Sequence, residues 1–477
     1  MGGSVRSTDI LALLIVAGWW TGLARAIAGG TPAYAAVLDA ILILVLARVV
    51  WERARNGFAL GDRLLAGLIF AYAALAAVQV TNENVPGVLV GLEGFRKTAF
   101  TMAAFFVVAW RSDGSVTRFY SIVAVGSVIP MLYGIRQFFA PFPIELDIVR
   151  TADSSFITFH LGPVLRAFAP TAGPFHFGLL SAGVSLISLH LSQTSRWWLV
   201  PALVGGLALA LSLTRANLIA TGIALSVFAI VSASRRARVV QIVMASAVVA
   251  AIAVGVAIGA GLIGEPPASS LRPPVSPTET ESPGSPSGLD TVAPTAVAPT
   301  PPAPTPAAPT PAAPTPSPVS EIITGLADPL ADRNLQFRLE FWASHIRAIG
   351  ERPVTGYGTS SAGDGFGHFY AGTALKHFAP HSLYLKPALE LGVGGFILLL
   401  AILVRALWLS IILTRQGSQA GRIALSLLLL VGVSGLTGPM LDAYPVNLLF
   451  WGALGWVGHP EPLRGEPVSN RRGAVTD

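Results

Sequence analysis

The sequence predicts an all-α polytopic membrane protein of about twelve transmembrane helices, with one large exocytoplasmic loop holding a Pro/Thr-rich disordered insert and short amphipathic helices. Three observations predict it. Hydrophobic residues make up 53% of the chain and charged residues 12%, about half the charge of a soluble globular domain. Apolar windows near the roughly 20 residues needed to cross a bilayer recur along its length. A proline-rich stretch interrupts that pattern once, at 264–320.

The apolar windows before the insert fall at 9–28, 34–51, 63–80, 97–110, 118–139, 175–193, 197–213, 216–233 and 239–263. Those after it fall at 383–408, 421–438 and 444–458. The first ends in Ala-Arg-Ala-Ile-Ala at residues 24–28, like a signal-peptide cleavage site. Its apolar run exceeds the roughly 7–15 residues of a signal core, and further spans follow, so it reads as the first transmembrane helix.

Arginine and lysine placement sets the orientation. With the N-terminus in the cytoplasm, about 17 basic residues lie inside, including Arg48, Arg53, Arg118, Arg235, Arg236, Arg238, Arg405 and Arg422. About 7 lie in short outer loops: Arg25, Arg96, Lys97, Arg136, Arg150, Arg166 and Arg215. Both termini are then cytoplasmic and the long loop faces outward. The formal charge of +6 is explained by topology. No basic patch interleaved with aromatics marks a nucleic-acid partner. The absence of cysteine excludes disulfides, thiolate metal sites and cysteine nucleophiles.

The organisation is therefore nine helices over 1–263, a linker over 264–320, an ordered exocytoplasmic loop over 321–382, three helices over 383–458 and a cytoplasmic tail over 459–477. Proline every two or three residues in APTPPAPTPAAPTPAAPTPSP forbids helix and sheet ladders and favours an extended spacer. Threonine beside proline also suits a glycosylated stalk. Gln336–Ile349 reads as an amphipathic helix with Phe337, Phe341, His345 and Ala348 on one face, ended by Pro353.

Several residues in this frame carry chemistry. Arg215, in SLTRAN, lies at a tight outer turn and either snorkels to the headgroups or presents a fixed cation to a phosphate. Arg338, one turn before Trp342, suits a solvated face, an ion pair or an anion site. Arg166 lies just outside the sixth span, as an interfacial anchor or a further cation; Lys376 and Lys386 read as interfacial anchors. His381 precedes Ser382, a natural N-cap, and is placed to act as general base or hydrogen-bond donor, or simply to close a loop. His377 is four residues earlier, but Pro380 keeps the two off one helical face, so no metal site is expected. Glu390 lies deeper in the helix and either orients a cation or joins an interhelical hydrogen bond. Asp364 is either a carboxylate base or a turn residue. The glycines at 356–367 lack the GxxxxGK[ST] form of a nucleotide loop.

These residues resemble the signature region of the O-antigen ligase and polymerase superfamily of bacterial membrane glycosyltransferases. The matching positions are Arg338 with Trp342, then Pro353, Gly356 and Gly358, then His381-Ser382-Leu383-Tyr384-Leu385, and finally Glu390, Gly392 and Gly395. Ser382 departs from the asparagine common in the family, and Thr214 replaces the serine of its Ser-Arg motif before Arg215. RAFAPTAGPFHFG, from Arg166, resembles a further family segment.

The resemblance implies a metal-independent, inverting transfer of a glycan from an undecaprenyl-diphosphate carrier to a glycan, lipid or protein acceptor. The products would be cell-envelope polysaccharides such as lipopolysaccharide. No cofactor is implied. Arg215 and Arg338 would hold the pyrophosphate and His381 would activate the acceptor or assist the departing phosphate, with Arg166, Trp342, Asp364 and Glu390 as accessory candidates. A polymerase of the same superfamily uses the same donor chemistry. A transporter would instead show interrupted helices in two related halves, and a non-catalytic anchor would tolerate loss of Arg215, Arg338 or His381.

Overall fold

The computed structural model describes residues 6–29, 31, 33–57, 61–111, 114–151, 159–161, 164–231, 333–362, 381–442 and 444–459. Helix dominates, as the apolar windows require. In chain order the first helices are α1 (Ser7–Gly18), α2 (Thr21–Ile27), α3 (Ala33–Asn56), α4 (Arg63–Val78), α5 (Val88–Thr98), α6 (Ala103–Ala109), α7 (Val116–Gly126), α8 (Val128–Phe139) and α9 (Pro143–Thr151). The rest are α10 (Pro174–Leu191), α11 (Leu199–Leu211), α12 (Arg215–Val231), α13 (Arg333–Glu351), α14 (Leu385–Arg415), α15 (Gln419–Ser434) and α16 (Val446–Gly458). The only strands among the described residues form a short antiparallel hairpin, His160–Leu161 with Val164–Leu165, which the all-α reading did not anticipate.

The described residues contain 5 helices long and apolar enough to cross a membrane, so this is an integral membrane protein. Shorter apolar helices occupy Arg196–Leu211, Arg215–Phe228, Gln419–Ser434 and Val446–Gly458, close to the windows expected there. The window at 239–263 and the linker lie outside the described residues.

Two expected spans take another form. The run at 9–28 is α1 and α2, bent by 58°. The bend seats Trp19 in the core, its indole donating to Ser127 Oγ at 2.9 Å, and brings the Leu23 amide to the Pro170 carbonyl at 3.0 Å. The window at 97–110 is not one helix. Ala99 leaves the helical region (φ −132°), which separates amphipathic α5 from the short buried α6. Polar bonding explains the break: Arg96 pairs with Glu93 and Asp39, and Thr98 turns its hydroxyl to Glu390.

Burial separates centre from rim, with 89% of the α10 span buried against 28% for α3 and α14. Small residues on α10 permit the close approach. Gly205 of α11 lies against the Ser181 carbonyl, and Ser185 Oγ donates to the Ala202 carbonyl at 2.8 Å. Helix α12 packs on α15, α16 on α6, and α14 on α4, α13 and α15. Helices α14 and α15 form an antiparallel pair, so Leu385 and Ser434 share one end of the bundle, with the start of α10 and the Ser212–Arg215 turn.

Candidate functional site

Helix α14 spans 31 residues, about 46 Å, and one residue interrupts it. Gly392 adopts φ +73° and ψ −178°, which breaks the hydrogen-bond ladder. A neighbouring loop repairs the break. The Tyr357 amide donates to the Leu389 carbonyl at 2.9 Å and the Gly358 amide to the Glu390 carbonyl at 2.9 Å, while the Val393 amide donates to the Pro353 carbonyl at 2.7 Å. Gly356 (φ +58°) must be glycine here, since a Cβ would stand 2.6 Å from the Glu390 carbonyl oxygen and the Gly392 nitrogen. Gly356 and Gly358 thus serve a docked backbone.

Above this break the chain enters α14 through His381 (φ +41°) and Ser382. Ser382 Oγ accepts the amides of Tyr384 at 3.3 Å and Leu385 at 3.4 Å, as an N-cap would. The Leu383 amide donates to the Gly435 carbonyl at 2.7 Å, and Arg338 Nη1 donates to the Thr437 carbonyl at 2.6 Å. The α15–α16 connection therefore holds both the histidine's turn and the arginine of α13. Burial first, then the Arg338 guanidinium and the His345 ring, push the His381 imidazole down to about 4. It is a neutral base beside a permanent cation.

His345 belongs to the same cluster. Its ring is fully buried, stacks on Phe341, and donates from Nδ1 to the Phe341 carbonyl at 2.5 Å. Burial lowers its proton affinity. The sequence marked it only as part of the apolar face of α13. Trp342, one turn after Arg338, is half-buried on that helix. Asp364, Lys376 and His377 lie outside the described residues.

A pair of cations stands where α10 and α12 begin. Leu213 (φ +50°) tightens the turn after α11, so that Arg166 Nε donates to the Ser212 carbonyl at 2.9 Å and Nη2 to Thr214 Oγ1 at 3.0 Å. Thr214 donates in turn to the Pro174 carbonyl at 3.3 Å. Arg215 opens α12, where the helix dipole repels a cation; helix stability does not account for it. Burial, then the charge of Arg215, press the Arg166 guanidinium down to about 10. The two pairs adjoin through backbone. Asn217 donates to the Phe175 carbonyl at 2.8 Å, and the Phe175 ring lies against Gly438, next to the carbonyl that holds Arg338.

Residues 200–400 match the model of a family described as O-antigen ligase. That match supports O-antigen ligase superfamily membership through this segment of the chain. No curated protein matches it. The matched region contains Arg215, Arg338, His381 and Glu390; Arg166 precedes it. At family level the activity is that of glycosyltransferase-type ligases and polymerases, acting on lipid-linked glycans and their acceptors.

In this O-antigen ligase domain, Glu390 is engaged inside the bundle. It is fully buried, accepts from Thr98 Oγ1 at 3.0 Å and pairs with Lys386 at 3.6 Å. Lys386 is no interfacial anchor: it is 6% exposed and also pairs with Asp442. The two carboxylates explain why a lysine is tolerated inside the bundle. Asp442, 56 residues further on, was missed. Its signal in the sequence is a lone carboxylate between the last two apolar windows.

Proposed function

We propose that this chain moves a glycan from an undecaprenyl-diphosphate carrier to an acceptor hydroxyl at the outer face of the cytoplasmic membrane. Arg215 and Arg338 hold the diphosphate, with Arg166 as the supporting cation. His381 takes the proton from the acceptor hydroxyl. The acceptor oxygen then bonds to the anomeric carbon as the carbon–oxygen bond to phosphate breaks, and undecaprenyl diphosphate leaves with that electron pair. Attack opposite the leaving group inverts the anomeric centre. The guanidinium groups supply fixed positive charge where negative charge develops, so the mechanism needs no metal.

The observation that carries this reading is the placement of neutral His381 against Arg338, held by one connecting segment. A base that stays unprotonated beside a cation is what a hydroxyl nucleophile and an anionic leaving group together require. The arginine count supports cytoplasmic termini and an outward site, with about twelve spans and residues 264–320 as a spacer.

The test is a reconstituted reaction of purified protein with a lipid-diphosphate glycan and a candidate acceptor. Transfer to the acceptor, lost in Arg338→Ala and His381→Ala and retained in EDTA, is the expected result. Full activity of both variants would refute the assignment, and growth of the glycan on its carrier would identify a polymerase.

A further inference from the structure

At the end of the bundle remote from His381 and Arg338, four helices enclose a second polar site. It lies near the last turn of α10, about 24 Å along that helix from Pro174, and between the end of α14 and the start of α15. A cavity of about 10 Å³ is lined by His190, Thr414, Arg422 and Ser426, with Phe228 and Leu425 among its apolar walls. His190 is 2% exposed and Thr414 6%. The His190 ring packs edge-on to Phe228 at 4.3 Å, and its Nε2 meets Ser426 Oγ at 2.9 Å. Arg422 is anchored by Nη1, which donates to the Gly417 carbonyl at 2.9 Å.

Three buried polar atoms on these residues have no hydrogen-bond partner among the described residues: His190 Nδ1, Thr414 Oγ1 and Arg422 Nε. Leaving such groups unsatisfied is costly, so their common cavity calls for a ligand. Arg422 Nε is a donor only, and the threonine hydroxyl can donate. In the tautomer where the Ser426 hydroxyl donates to Nε2, His190 Nδ1 carries the proton and donates as well. No carboxylate lines the cavity. The permanent positive charge of Arg422, with the threonine hydroxyl beside it, favours an acceptor that is anionic.

The cavity's size limits how that acceptor enters. About 10 Å³ is near the least that holds one water-sized occupant, so one oxygen fits inside and the remainder of the group stays outside. Arg422 is half-buried, in the first turn of α15, where the amide ends of the helix add to the positive field.

We propose that this cavity takes one oxygen of a phosphoryl group, at the end of the bundle opposite the transfer site. A phospholipid headgroup and soluble phosphate share that chemistry, and the test separates them. Full-length protein in micelles is offered phosphatidylglycerol or phosphatidylcholine, and retained lipid is read by native mass spectrometry. In parallel, thermal unfolding is followed as inorganic phosphate is added. Arg422→Gln and Thr414→Val are compared with the unaltered protein, the second being nearly isosteric. Preferential retention of phosphatidylglycerol, reduced roughly tenfold in Arg422→Gln and less in Thr414→Val, establishes a lipid-headgroup site. A rise in melting temperature with phosphate that both variants lose, without lipid preference, establishes a soluble-phosphate site. Retention of the two lipids that neither variant reduces, together with no response to phosphate, overturns the proposal and leaves a trapped water.

Discussion

The amide of Gly358 donates to the carbonyl of Glu390 at 2.9 Å, across 32 residues of sequence. This bond lets a membrane helix be broken without stranding its carbonyls in an apolar setting, where each orphan is expensive. It also ties the loop after α13, the arginine's helix, to the helix that begins just after His381.

Gly356→Ala tests that tie. A methyl group there meets two backbone atoms at 2.6 Å in a left-handed conformation, at a cost of roughly 1–3 kcal/mol or more. A lower melting temperature and loss of transfer are expected. Gly350→Ala, in the last turn of α13 with nothing within 4 Å of the new Cβ, should leave stability unchanged or raise it by up to about 1 kcal/mol.

Arg338→Lys should behave much like Arg338→Ala. Lysine keeps the charge but cannot hold the Thr437 carbonyl and present a planar fork to a diphosphate together. A fall in kcat/KM on the order of 10²-fold is expected for both, measured with a defined lipid-diphosphate donor. Near-normal turnover in the lysine variant would show that charge alone suffices.

The two arginines at the α12 turn should separate by readout. Arg166→Gln removes both donor binding and the bonds to Ser212 and Thr214, so donor KM should rise roughly tenfold and the melting temperature should fall. Arg215→Gln should raise donor KM with little change in melting temperature, because it relieves repulsion between like charges.

The pH dependence follows from His381. Its folded value, about 4, lies below the ordinary 6.5, so the unfolded chain binds that proton more readily in between. The stability it contributes is complete above 6.5 and is lost as pH falls toward 4. Because kcat/KM reports the free enzyme, it should show no imidazole inflection near neutrality and should decline only on approach to about 4. An inflection between about 6 and 7 would contradict the buried, cation-flanked setting.

Lys386→Met should destabilise the protein by about 3–5 kcal/mol, since it leaves the Glu390 and Asp442 carboxylates without their shared cation. Glu390→Gln should cost less, because an amide oxygen still accepts from Thr98. Thermal unfolding of both variants checks the order.

Most helices were legible because a membrane span is written locally, as an apolar run of the right length. The run at 97–110 misled because hydropathy does not record that Thr98 bonds to a carboxylate 292 residues away. Arg338, His381 and Arg215 were legible as charges or bases at the edges of apolar runs. His345 was not, because its spacing fits an apolar helix face, and Lys386 was misread because its two partners are visible only in three dimensions.

The crowding of Arg166 and Arg215 has a consequence for the protein's own lifetime. Like charges held together make this turn electrostatically uphill, and on the proposed function a bound diphosphate would relieve that repulsion. On the proposed function, the lipid-linked donor would act as a stabilising ligand as well as a substrate, by about 2.7 kcal/mol at a hundred times its dissociation constant. Cells starved of that donor would carry a protein more prone to unfolding and proteolysis, so abundance would follow the supply of substrate.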